Sequence, residues 1–177
     1  MKTRKIKINL FLILLISITS LCNSQSIEKE TRNLFFAPLK KEFPIPLGFI
    51  NDFENILTKE ERRELNNIIS NFEKSSSNEI AIITINSIKP YTDIKQFTED
   101  LSNEWGVGKK NKKNGLTILF SKNLRKIQIS TGLNTEKIIT NEICKNVIDY
   151  EIIPEFKKGK YYSGIRKGLM KLIEKWK

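Results

Sequence analysis

The side chains able to do chemistry in this sequence are carboxylates. Asp52, Glu79, Asp93, Glu142 and Glu155 fall at the ends and turns of the expected elements. Oxygen ligands at strand ends of an open α/β sheet stand where such sheets usually bind ligands. Taken singly, each has a plainer use as a helix cap or a surface charge. There is no histidine, which removes Ser-His-Asp triads, Cys-His dyads and His-ligated metals. The two cysteines, Cys22 and Cys144, are too few for a four-thiolate zinc site or an iron–sulfur cluster. A metal here must be held mainly by oxygen, which favours calcium or magnesium. Cys144 lies in a helical pattern with Ile143, Val147 and Ile148, and no imidazole exists to activate it, so it reads as a small core residue.

The basic residues have two readings. Lys+Arg number 31 against 20 Asp+Glu, a net charge of +11. The stretch 106–115 combines glycines and lysines. It departs from G-x-x-x-x-G-K-[ST] and leads from helix into strand, so no nucleotide site is expected and a solvated basic loop is. No nucleic-acid-binding motif is present, and no nucleic-acid partner is expected. Lys157, Lys158, Lys160, Arg166, Lys167, Lys171, Lys175 and Lys177 give the C-terminal segment a basic face. That face is either solvated or turned toward an anionic surface.

The elements that must position these groups follow from the hydrophobic pattern. Residues 1–24 read as a signal peptide: Lys2, Arg4, Lys5 and Lys7 precede the apolar run Ile8 to Leu21, which is short for a bilayer span. Cys22-Asn23-Ser24 suits cleavage before Gln25, and Leu21 is bulky for a lipid-modified Cys22. The mature chain, with a net charge of +7, is then expected in the periplasm or cell envelope, and its one thiol leaves no internal disulfide. Residues 25–47, broken by Pro38, Pro44 and Pro46, read as a tether, with Phe35, Phe36 and Leu39 available to dock.

The domain is expected over 48–177. Thr58 and Glu61 form a capping box, and Leu65, Ile68, Ile69 and Phe72 follow at helical spacing. Glu79 to Ile85 and Leu116 to Phe120 read as buried strands, and Arg125 to Ser130 as a half-exposed one. A second helix carries Ile94, Phe97, Leu101 and Trp105. A third is expected over Asn141 to Tyr150, ended before Pro154, and a last from Tyr161 to Trp176. This α/β order predicts a small sheet of three to four strands with helices on both faces. The crossover rule makes the first two of these strands parallel neighbours.

From Gly48 onward the segments resemble the TPM domain family. The residues that carry the resemblance are Ile50-Asn51-Asp52-Phe53, Asn103-Glu104-Trp105-Gly106-Val107-Gly108, Asn114-Gly115-Leu116, Ile139-Thr140-Asn141, and Ile153-Pro154-Glu155-Phe156 with Gly159-Lys160-Tyr161. The resemblance implies a three-layer α/β/α sandwich on a small mixed sheet. It also implies an exported, calcium-binding accessory protein acting on a membrane-associated protein. A third reading, a basic domain that only adheres to an anionic membrane surface, accounts for the charge but not for these segments. The alternative it carries is a metal-dependent acid phosphatase of low specificity. Asp52, matching the family's acidic residue before the first helix, is the first expected metal ligand. Asn141, where the family usually has Asp, is the second, with Glu142 beside it. Calcium is expected ahead of magnesium, and Asn141 supplies an oxygen without a charge.

Overall fold

Helix α1 begins where the capping box requires. In the computed structural model, which describes residues 43–176, it spans Lys59–Ser76. The Glu61 amide donates to the Thr58 hydroxyl at 3.2 Å, and the Thr58 amide donates to the Glu61 carboxylate at 2.8 Å. Two donors that a helix start leaves orphaned are thereby satisfied. Leu65, Ile69 and Phe72 are its buried face. Ser77, at φ 63, ends it. Residues 1–24, Cys22, the tether as far as residue 42 and Lys177 lie outside the described residues.

The sheet has four strands: β1 (Ile50–Asp52), β2 (Glu79–Thr84), β3 (Gly115–Ser121) and β4 (Lys126–Thr131). They lie in the order β1-β2-β3-β4. The first two pairings are parallel and the last is antiparallel. Every residue of β3 is buried, as its position between two neighbours and two helical layers demands. Alternate side chains of β2 and β3 serve two cores. Ile80, Ile82, Leu116, Ile118 and Phe120 pack with α1 and the C-terminal helices. Ile83 and Leu119 pack with Phe97 and Leu101 of α2 (Ile94–Trp105) on the other face. The result is the expected α/β sandwich on a mixed sheet. Since β1-to-β2 and β2-to-β3 step the same way across the sheet, helices on opposite faces give these two crossovers opposite hands. One of them therefore departs from the usual right-handed rule.

After β4 the chain makes a tight turn and enters α3 (Asn141–Val147), capped by Thr140. The expectation of one helix to Tyr150 is replaced by a finer arrangement. A π-helical turn, Ile148–Ile152, leads directly into the short α4 (Ile153–Phe156). Pro154 has no N–H to give and would crowd the carbonyl four residues back. The wider turn just before it lets the chain pass the proline without breaking. The last helix, α5 (Tyr161–Trp176), buries Ile165, Leu169, Leu172, Ile173 and Trp176, the stripe its sequence predicts. No helix among the described residues is long and apolar enough to cross a membrane.

The tether's last residues belong to the packed unit. Phe43 lies 5.6 Å from Phe97, ring centre to ring centre. The Trp105 indole donates to the Pro44 carbonyl at 2.9 Å and packs edge-on against Phe53. Trp105 thus joins the helix stripe as expected and also fastens the incoming chain.

Candidate functional site

Asp52 ends β1, opposite Thr84 of β2. Its side chain is 1% exposed. Oδ1 accepts from the Ile56 amide at 3.0 Å and the Thr84 hydroxyl at 2.7 Å. Oδ2 accepts from the Leu57 amide at 2.9 Å and the Arg62 guanidinium at 3.2 Å. Arg62 also donates to the Leu57 carbonyl at 2.9 Å. A carboxylate with four donors, one of them cationic, has its lone pairs taken up by the fold. Asp52 therefore clamps the 53–58 loop that carries the chain from β1 to α1.

That loop forms one wall of a cleft of about 280 Å³, lined by Ile56, Glu61 and the Gly159 to Ser163 segment. Tyr161 stacks on Phe120 near the end of β3, with planes 9° apart, and the Lys122 ammonium sits 5.4 Å from the Tyr161 ring centre. The cleft thus lies at the carboxyl ends of the parallel strands, where open α/β sheets take ligands. Sequence reading supplied Gly159, Lys160 and Tyr161 as family pieces but gave them no site. The signal for it is the switch from α4 to α5, which needs Gly159 at φ 73.

Asn141 and Glu142 stand elsewhere. Thr131, which ends β4, pairs with Leu116 at the amino end of β3. The 132–139 turn folds on itself there, and the Asn141 side chain donates to the Glu136 carboxylate at 3.1 Å. From Asn141 the helix climbs along α5, with Val147 beside Gly168. Only at Phe156 does it reach Phe120 near the carboxyl end. Asp52 is therefore placed toward one end of the sheet and Asn141 with Glu142 toward the other, and the three do not converge on one ion. Among the described residues no group of three or more Asp, Glu or Cys side chains forms a metal-binding cluster. Of the other acidic positions, Asp93 caps α2 and Glu79 accepts from the Gly108 amide at 2.8 Å. Glu155 pairs with Lys167 at 2.6 Å and Lys158 at 3.3 Å. The Lys167 hydrogen bond holds its carboxyl below the usual range, against the opposing pull of burial.

Cys144 is buried among Val147 and the core of α5, and burial pushes its thiol up to about 11. The thiolate is the reactive form, so folding should protect it. Iodoacetamide at pH 8 is expected to label Cys144 at least about tenfold more slowly in the native protein than in urea, since a rise of one pKa unit removes about nine-tenths of the thiolate. Equal rates, read by mass spectrometry, would place the sulfur at the surface.

The family model of the TPM domain matches residues 50–175. Among solved structures, an N-terminal domain from P. gingivalis is 26% identical, covering 72% of this chain and 80% of that one, with a TM-score of 0.65. The BA42 protein of the psychrophilic bacterium Bizionia argentinensis is 20% identical over 71% of this chain and 88% of that one, at a TM-score of 0.60. The N-terminal domain of the cg2496 protein of Corynebacterium glutamicum, 12% identical, covers 78% of this chain and 86% of that one at 0.58. No functionally curated protein matches the sequence. With the matched stretch running from β1 through α5, the chain belongs to the TPM domain family.

Proposed function

We propose that this chain is an exported, calcium-binding TPM module that acts without catalysis at the cell envelope, on a membrane-associated partner. The observation that supports a non-catalytic role is the engagement of Asp52. With no histidine, hydrolysis would need a carboxylate to take a proton from water or to hold a divalent ion. The carboxylate that the family resemblance favours for this is occupied by Ile56, Leu57, Thr84 and Arg62. Export is supported by the basic start, the apolar run and the Cys22-Asn23-Ser24 site. For calcium, the exposed Asn141 and Glu142 are the donors to test. Calcium takes six to eight oxygens, so two protein side chains with water completing the shell make a weak site, roughly millimolar.

Three measurements test the reading. Mass spectrometry of the exported protein should give a chain beginning at Gln25. Calcium titration followed by amide NMR should move resonances over 136–142 and leave 52–57 in place. Turnover of an aryl phosphate should stay at background with calcium or magnesium present. A retained Met1, a diacylated Cys22, or metal-dependent hydrolysis lost in Glu142→Gln would overturn it.

A further inference from the structure

We propose that the amino-end tip of the sheet is a docking surface for an anionic phospholipid bilayer. This deepens the envelope reading by naming what the module meets, and it rests on that reading for the compartment alone. Two loops make the tip. The first, Lys109 to Lys113, carries four lysines in five residues, all of them exposed. It is closed as a turn by the Lys112 and Lys113 amides, which donate to the Lys109 carbonyl at 2.8 and 2.7 Å. The second, 132–138, carries Lys137 and two apolar side chains left in water, Leu133 at 61% exposure and Ile138 at 51%.

The two loops are fastened to each other. The Asn134 amide donates to the Lys113 carbonyl at 3.1 Å, and its side chain donates to the Lys112 carbonyl at 2.7 Å. Gly132 lies so close that a Cβ there would stand 2.4 Å from the Lys113 oxygen. Charge and apolar surface are therefore held on one tip by backbone contacts, although some twenty positions separate them in sequence.

Charge pairing decides between this tip and the basic C-terminal face. On α5 and its approach, Arg166 pairs with Glu64, Lys171 with Glu174, and Lys158 and Lys167 both with Glu155. Half of that face is spent within the molecule. Among the described residues none of Lys109, Lys110, Lys112, Lys113 or Lys137 is in an ion pair. Glu79 accepts from the Gly108 amide, and Glu136, the one carboxylate in the second loop, accepts from Asn141, so five lysines on the two loops face a single acidic side chain there. A lysine close to an anionic bilayer gains about 1 kcal/mol, roughly fivefold in affinity. Leu133 and Ile138 would enter the headgroup and acyl boundary, as apolar faces of surface-bound proteins do. A nucleic acid or an acidic peptide would answer the lysines but leave both apolar side chains in water.

The test is co-sedimentation of the exported protein with vesicles of phosphatidylglycerol and phosphatidylcholine, against phosphatidylcholine alone, without calcium. Binding is expected to the anionic vesicles only, and to fall as salt screens the charges. Replacing Lys109, Lys110 and Lys112 by Gln and Lys113 by Asn should weaken it by roughly 600-fold, about fivefold for each lysine. Asparagine suits the last position because Lys113 has φ 47 and Asn tolerates the left-handed region. Leu133→Ser with Ile138→Ser should weaken binding at unchanged charge. Lys157→Gln with Lys175→Gln should leave it nearly intact. All variants should melt as the parent does, since the altered side chains are exposed. No binding to anionic vesicles, or binding lost through Lys157 and Lys175 instead of the tip, would overturn the proposal. A chain that ignores vesicles yet leaves native membranes only after protease treatment would sink the tip and keep the envelope reading. Tip-dependent vesicle binding by a chain that retains Met1 in the cytosol would do the reverse.

Discussion

Asp52→Ala should lower the stability of the domain by about 3–5 kcal/mol, near the top of the range for a single substitution. The cost comes from the groups left behind. The Thr84 hydroxyl is buried, and its bond to Oδ1 is 2.7 Å. The Leu57 amide loses a buried partner, and the Ile56 amide a partly buried one. Each buried donor stranded in this way costs about 1–3 kcal/mol. Arg62 adds less, because its side chain is 38% exposed and can turn to water. Arg62→Met, which leaves Asp52 three of its four donors, should therefore cost only about 1–2 kcal/mol. Urea titration of both variants measures the difference. The pair of values also separates two roles for Asp52. As a loop clamp, it carries a large stability loss on removal. As a metal ligand, it would carry a lost calcium response at nearly unchanged stability, and that outcome would return Asp52 to the calcium site.

The same contrast explains what could be read from the chain in advance. The capping box of Thr58 and Glu61 is a three-residue relation, and the buried stripes of α1, α2 and α5 are relations of three or four. Each is complete within one helix, so the sequence pattern predicts it. Strand β1 was not legible. It is three residues long, and its pairing with Ile82, Ile83 and Thr84 is decided by the whole of α1 folding back. The role of Asp52 was hidden for the same reason. Its position is visible, but its partner Thr84 lies 32 residues away, and an acidic residue before a helix looks alike whether it clamps a loop or holds an ion. The C-terminal basic face shows the cost of counting charge along the sequence. Arg166 is neutralised by Glu64, 102 residues earlier, and Lys167 by Glu155 on the preceding helix. Lysines that look equivalent in a row differ in what faces them. The basic loop 109–113 keeps its charge because it meets a loop whose one carboxylate, Glu136, is bonded to Asn141 and pairs with none of its lysines.

Gly115→Ala should be as damaging as the loss of Asp52, through packing rather than hydrogen bonding. A Cβ at Gly115 would stand 2.1 Å from the Val107 carbonyl oxygen and 2.9 Å from the Gly108 amide nitrogen. Both obstacles are backbone, so no side-chain rotation relieves them. Relief requires moving β3, which is buried along its length and paired on both sides. It could also come from moving the 106–108 turn, which Glu79 holds through the Gly108 amide. Overpacking in a rigid site costs about 1–3 kcal/mol and sometimes more; with backbone on both sides, about 3 kcal/mol or above is expected. Gly159→Ala is the control. It has open space around it but φ 73, so only the conformational strain of a left-handed residue remains, about 1–2 kcal/mol. Denaturation midpoints should rank Gly115→Ala well below Gly159→Ala. The close approach also ties stability to the surface proposed to meet the bilayer. Asn114, next in the chain, accepts from the Lys109 amide at 2.9 Å and donates to the Ser77 carbonyl at 2.6 Å. A displaced Gly115 would release the lysine loop from the sheet before the rest of the domain unfolds. Hydrogen exchange in Gly115→Ala should therefore accelerate first over 107–114. Uniform acceleration across the domain would show that loop and sheet open as one unit.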